Sequence, residues 1–377
     1  MTRAIDSKAQ LLFVFALTCF VGGCDRSAIS DDTADTFEPR TLDVFVAGGG
    51  DHMMTVVNSF LPSTVHIRAG DTINWKIGSG EPHTVVFTGN EELPRYEVPV
   101  PGRGGESLMI NPRGVWPTRK KGEPVETYRG EDYITSGLLS WRHIEPLGPT
   151  APPSLPSEHY SVHFDSPGTY PYFCMIHPGH AGVVVVEDAT AVDVPSQADI
   201  DAMAQAELAP IERITDSMRA MVDSEYEEKE VLADGTNLWT VQVGQAYLQH
   251  EVNEFLPRQL EIEQGDTVLW HSPNFKMMMY VPERLWPGPA EVIIEPREGE
   301  DRPWIIFNPE LRSVSKPPGA FDPDQFYSSG TIGYAHGTGK FSFSLTFNDL
   351  GTFKFIDALH RALGPGAEST ITVVPRK

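Results

Sequence analysis

Short runs of alternating apolar and polar residues, broken by glycine and proline, cover most of this 377-residue chain. From Leu42 the alternation has the period of strands. Asp43 to Ala47 reads as a first strand and Gly48-Gly49-Gly50 as a turn. In Val57 to Trp75, Val65 and Ile67 face one side and His66 and Arg68 the other. Ala69-Gly70-Asp71 is a turn there, and Ile73 and Trp75 return to the apolar face. His83 stands just ahead of a further strand. Tyr160 to Phe164 alternates again and leads through Ser166-Pro167-Gly168 into Thr169 to Val186, T-Y-P-Y-F-C-M-I-H-P-G-H-A-G-V-V-V-V. Tyr170, Tyr172 and Cys174 share parity, which places the thiol on the aromatic, core-facing side. Residues 89 to 156 are rich in Gly, Pro and charge, with turns expected at Asn111-Pro112 and Ser136-Gly137. So long a stretch either covers a site, shapes a docking surface, or is a solvated decoration. From 191 to 235 the period changes. Ser196 suits a helix cap, and Ile200, Met203, Ile211, Ile214, Met218 and Met221 are spaced as on a helix, which Pro210 is expected to divide into two short ones.

The strand pattern then recurs. Val252 to Trp270 matches Val57 to Trp75 at a constant shift of 195, with ten of nineteen positions identical. F-N-P at Phe307 to Pro309 echoes I-N-P at Ile110 to Pro112, and Phe326 to Gly330 echoes Tyr133 to Gly137. Leu350 to His360 echoes Pro167 to His177. The chain is two copies of one β unit, duplicated insertion included, and each copy has the size of an ordinary domain. High Gly and Pro counts, 33 and 32, agree with an all-β class full of turns.

The N-terminus breaks the pattern. Arg3 and Lys8 precede an apolar run, Leu11 to Val21, too short to span a bilayer, which ends V-G-G-C at Cys24. Small residues before a cysteine resemble the bacterial lipobox. Cys24 would then carry lipid and anchor the protein to a membrane face; a plain secretory signal is the alternative. Asp25 after the cysteine resembles the inner-membrane retention signal of some Gram-negative bacteria. Residues 1–24 thus read as a signal segment and 25–40 as a flexible tether. The protein is expected to be exported, periplasmic or at the cell surface. A net charge of -23 argues against nucleic acid and anionic membrane as binding partners and permits a basic protein partner.

With Cys19 in the signal and Cys24 lipidated, Cys174 is a lone thiol in an oxidising compartment. A metal bond or a buried inert thiol would account for it. Cys174 and His177 share one short loop, His180 follows three residues on, and folding must bring in His83. One thiolate with two imidazoles suits copper, and zinc also binds such a set.

G-D-T-I-N-W, P-H-T-V and G-T-Y-P-Y-F-C-M-I-H-P-G-H-A-G together resemble the type I blue copper proteins, the plastocyanin and azurin superfamily of cupredoxins, over residues 41 to 190. The resemblance implies two tandem Greek-key β-sandwich, cupredoxin-like domains, 41–190 and 236–377, joined by a short helical linker at 191–235. It implies one type I copper on His83, Cys174 and His177, and one-electron transfer with a redox partner protein rather than a small-molecule substrate. At position 180 the sequence departs from the family. His180 stands where the axial Met is expected, and it either ligates the metal or faces solvent beside it. In the second copy Asp357 stands where Cys174 would, Met277 is expected in place of His83, and only His360 persists, so that copy is expected to hold no metal. A copper oxidase or nitrite reductase is disfavoured, because Phe173 and Met175 flank the cysteine and the twelve histidines contain no H-x-H. The competing reading is a copper-binding protein for delivery, sensing or storage.

Overall fold

Strand Thr55–Leu61 of the first copy pairs antiparallel with strand His250–Leu256 of the second, Val56 opposite Glu251. This pair is the centre of an eleven-stranded sheet to which both copies contribute in matching order. Outward from the seam lie Thr41–Gly48, Thr72–Ile77, His159–His163 and Glu126–Thr127 on one side. Asn237–Tyr247, Thr267–His271, Ser342–Thr346 and Gly319–Ala320 lie on the other, and Glu228–Val231, paired with Asn237–Tyr247, is the eleventh strand. The computed structural model describes residues 37–48, 54–104, 107–120, 122–140, 157–222, 228–247, 249–315, 319–333, 342–361 and 367–377. Cys24, the signal segment and most of the tether lie outside the described residues.

Each copy closes its half of this sheet with a five-stranded sheet of its own. In the first copy the order is Thr64–Arg68, Ala181–Glu187, Gly168–Phe173, Val86–Phe87, Ile134–Thr135. The second repeats it with Gln259–Glu263, Glu368–Val374, Gly351–Asp357, Met278–Tyr280 and Tyr327–Ser328. The protein is thus mostly strand with few helices, and its sheets pack as β-sandwiches. The alternating apolar positions fill the space between sheets. Trp75, Phe87, Tyr160, Phe164 and Tyr172 form one aromatic core, and Trp270, Tyr280, Phe343, Phe347 and Phe355 form its counterpart. Full burial of one such side chain is worth about 1.5–3 kcal/mol, so two ten-strand frameworks have ample apolar drive.

The described parts of the insertions are ordered and not mere decoration. Asn111 and Asn308 cap short helices, Pro112–Val115 and Pro309–Arg312, by accepting the N–H of the residue two positions on. Strands Leu108–Ile110 and Trp304–Phe307 pair antiparallel at Met109 and Ile306, so the insertions make a second junction between copies, a four-stranded sheet. Arg312 adds a two-pronged ion pair to Glu97 at 2.5 and 3.0 Å.

The connector is one helix, Gln197–Val222, rather than two. Pro210 sits inside it without dividing it. One lost hydrogen bond is outweighed because the helix lies across the seam, with Met218 and Ile214 packed on Val252 and Arg219 bound to Glu254 at 2.7 Å. Ser196 begins it as expected, in a reciprocal cap with Asp199.

Candidate metal centre

Strand Gly168–Phe173 carries Cys174 out of the core at its end, and the chain turns back at once into Ala181–Glu187. Two backbone bonds close that turn: Cys174 N–H donates to His180 O at 2.8 Å, and His180 N–H to His177 O at 3.1 Å. Parity puts Tyr172 and Cys174 inward, and both are buried. His83 arrives from the facing segment, clamped by paired backbone bonds with Leu139 of the insertion at 2.9 and 2.8 Å. The insertion also packs beneath the loop, where Met175 lies against Gly114 so closely that any side chain at 114 would overlap its Sδ and Cε.

The four residues singled out in the sequence, His83, Cys174, His177 and His180, meet in one place, with one donor atom of each within 4.8 Å of the others. His83 Nδ1 lies 3.9 Å from Cys174 Sγ, His177 Nδ1 lies 3.7 Å from it, and the two Nδ1 atoms are 3.1 Å apart. The other ring nitrogens are occupied. His83 Nε2 meets Ser79 Oγ at 3.0 Å, and His177 Nε2 faces Glu81 Oε2 at 3.5 Å. Carboxylates accept only, so His177 Nε2 carries a proton toward Glu81, and Nδ1 faces inward as the atom a metal would take by displacing its proton. His180 is 1% exposed, tilted against Phe60 with ring centroids 4.1 Å apart, and neither ring nitrogen has a hydrogen-bond partner. The solvent-facing alternative for His180 is therefore not what folds. Phe60 and the seam strand close that side.

Electrostatics sharpen the picture. Burial would raise the Cys174 thiol, yet His177, His180 and His83 together hold it well below its ordinary range, as a thiolate. Burial, reinforced by repulsion from His177, pushes His83 down to about 4, which leaves it neutral. Burial also lowers His180. His177 goes the other way, to about 10, because Cys174 and Glu81 outweigh its desolvation. Two inward-facing ring nitrogens, a thiolate and an orphaned buried imidazole form a donor set that fits a soft cation. Thr84 N–H adds a contact to the sulfur at 3.5 Å.

In the second copy the same frame holds different groups. Asp357 pairs with Met278 as the strand-end counterpart of Cys174, as expected. The bridge between Lys276 and Ile332 reproduces the one between His83 and Leu139, so Lys276, and not Met277, takes the place of His83. Glu81, Ser79 and Thr84 were not singled out from the sequence. Their one signal is proximity to His83 in S-G-E-P-H-T.

No family model matches the sequence. Plastocyanin of Scenedesmus fuscus is 31% identical over 137 residues, 36% of this chain and 90% of that protein. Plastocyanin of Vicia faba is 28% identical over 126 residues, 33% of this chain and 82% of its own. For the chloroplastic plastocyanin of Tetradesmus obliquus the identity is 28%, over 33% of this chain and 54% of that one, about half its length. Among solved structures, amicyanin from Paracoccus versutus is 20% identical over 39% of this chain and 81% of its own, with a TM-score of 0.21. The Scenedesmus match takes in nearly all of its relative, and on that ground the chain belongs, through about a third of its length (36%), to the plastocyanin family.

Proposed function

We propose that this protein is a one-electron carrier with one type I copper, which His83, Cys174 and His177 would hold with His180 as a fourth donor. The observation that carries this reading is the convergence of three donor atoms 3.1–3.9 Å apart in a buried pocket beside an imidazole with no other partner. Copper bound there supplies a Cu(I)/Cu(II) couple. The chain's own part is to hold one geometry for both oxidation states. Ser79 and Glu81 orient the two Nδ1 donors, the Cys174 and His180 backbone groups lock the loop, and Phe60 and Tyr172 keep water out. His177 is the most exposed of the four at 18% of its side chain. So closed a pocket suits a resident metal better than one handed to another protein, which favours the carrier over delivery or storage.

In this reading residues 41–190 are the copper domain and 236–377 a cupredoxin-like domain without copper. The relatives are plastocyanins, one of them chloroplastic, which supports an extracytoplasmic setting. Lipidation of Cys24 would hold the protein at a membrane there, facing a redox partner that the acidic surface would recognise through basic residues. The test is the visible spectrum of copper-loaded protein from residue 25 onward. An intense thiolate-to-copper band is expected, and Cys174→Ser should abolish it. A colourless protein that binds only Cu(I) and cannot be reversibly oxidised would overturn the reading.

A further inference from the structure

The second copy has lost the ligands but kept their positions, and what now fills those positions points at the first copy. His360, the counterpart of His177, places Nδ1 2.6 Å from Asp357 Oδ2 and Nε2 2.7 Å from Glu81 Oε1. Both of its neighbours are carboxylates, so both ring nitrogens carry protons and the ring is an imidazolium bridge. The carboxylates sit on opposite edges of the ring, which excludes a shared metal between them. Asn253, also of the second copy, donates Nδ2 to Glu81 Oε1 at 2.8 Å. Its Oδ1 accepts from Lys276 Nζ, the side chain in the place of His83, at 2.6 Å. All of these groups are buried or nearly so. Asp357, Lys276 and His360, the counterparts of Cys174, His83 and His177, are thus each tied, within two contacts, to Glu81, and Glu81 is the group that faces His177 Nε2.

We infer that the second copy serves as the outer support of the first copy's metal site. Asp357, His360 and Asn253 fix the Glu81 carboxylate against His177, and they are positioning residues for that ligand. The physical reason is charge order. A buried carboxylate next to the centre would be too costly to hold there unless paired, and the sequence Asp357(−), His360(+), Glu81(−), His177 supplies that pairing. Glu81 in turn faces His177 Nε2 and so fixes the ring with Nδ1 directed at the site, the role that outer carboxylates play for metal-bound imidazoles. The bland alternative is a buried ion-pair network that merely satisfies its own members and adds stability. The inference rests on the copper reading, so its test needs a readout that does not.

The experiment uses the protein from residue 25 onward and compares His360→Leu, His360→Gln and Glu81→Gln. Asp266→Asn serves as a control, because it loosens the second copy through partners, Asn237, Trp239, Glu263 and Arg376, that are not part of this cluster. Cu(II) affinity is read by chelator competition. The His177 imidazole is read by nitrogen NMR in metal-free protein, which reports the contact of its Nε2–H with Glu81 whether or not copper ever binds. Loss of His360 to Leu should weaken Cu(II) binding at least about tenfold and change the His177 imidazole signal. Gln, which can still donate to Glu81, should recover part of both. Glu81→Gln should reproduce the loss even if the Leu variant does not fold. Asp266→Asn should lower stability without moving affinity or the imidazole signal. Wild-type affinity and an unchanged imidazole signal in folded His360→Leu or Glu81→Gln would overturn the inference, as would an equal loss of affinity in Asp266→Asn. Absence of a copper band in wild type, with the imidazole response intact, would instead sink only the carrier reading.

Discussion

His180 is a buried imidazole with two unpartnered nitrogens, an arrangement that native structures rarely tolerate without a ligand. An imidazole donor favours Cu(II) more than a thioether does, so His180→Met should raise the reduction potential and shift the thiolate-to-copper band toward the blue type. A tenfold change in the ratio of Cu(II) to Cu(I) affinity corresponds to about 59 mV, and at least that rise is expected. An unchanged spectrum and potential would mean that His180 does not bind. At this scale much of the centre was legible. The lone cysteine, its inward parity and the C-x-x-H-x-x-H spacing mark three of the four grouped residues before any fold is known. Lys276 was not legible. The connection from Trp75 to His83 is two residues longer than that from Trp270 to Lys276, so the shift of 195 that aligns the strands fails for the residues beyond them. Glu81 was not legible either, because its meaning depends on a partner, His360, that only the fold brings to it.

The repeated G-D-T turn shows what an element of this fold requires. Asp71 accepts the N–H groups of Arg40 and Arg68 at 2.8 and 3.0 Å and pairs with the Arg40 guanidinium. Asp266 accepts from Asn237 N–H and Trp239 Nε1, both at 2.9 Å, and from the Arg376 guanidinium. Burial pushes both carboxyls up, but these donors outweigh it and hold them below the ordinary carboxylate range. A carboxyl depressed by folding stabilises fully above its unfolded pKa and loses that contribution as pH falls through the folded value. Asp266→Asn should therefore cost about 1–3 kcal/mol at pH 7, from charge-assisted bonds to a buried acceptor. Its deficit against the parent should shrink once pH drops below about 4, as equilibrium unfolding would report. A deficit independent of pH would place the loss elsewhere. The turn itself was readable from Gly and Asp, and so was the Ser196 cap. The unbroken helix was not, since Pro210 is a local signal and the packing of Met218 and Ile214 on Val252 is not.

On the scale of the whole molecule the described residues from Phe37 onward form one compact unit. The shared sheet, the paired insertions and the seam-spanning helix all cross between copies. A cavity in the second core should therefore be felt in the first. Trp270→Ala, at about 3–5 kcal/mol for loss of a large buried aromatic, should lower the temperature at which the thiolate-to-copper band disappears, in step with global unfolding. A band that survives past the melting of the second copy would indicate two independent folding units. The duplication was plain in the sequence, because the 195-residue shift preserves the strand residues themselves. That the copies share a sheet was not, because edge pairing is made by backbone groups, which leave little trace in side-chain pattern.

The central strand pair has one further implication. Val56 faces Glu251, its own counterpart at the shift of 195, and Met109 faces Ile306, which occupies the same place in the second insertion. Equivalent residues meet at both junctions, which is the rule of an isologous contact, the kind two identical subunits make about a two-fold axis. The chain is built as a homodimer written on one polypeptide. In a true homodimer every substitution is made twice, so a ligand lost from one subunit is lost from both. Covalent fusion lifts that constraint. One half is free to give up its thiolate while the other keeps it, and the surrendered half can turn its charged residues toward its twin.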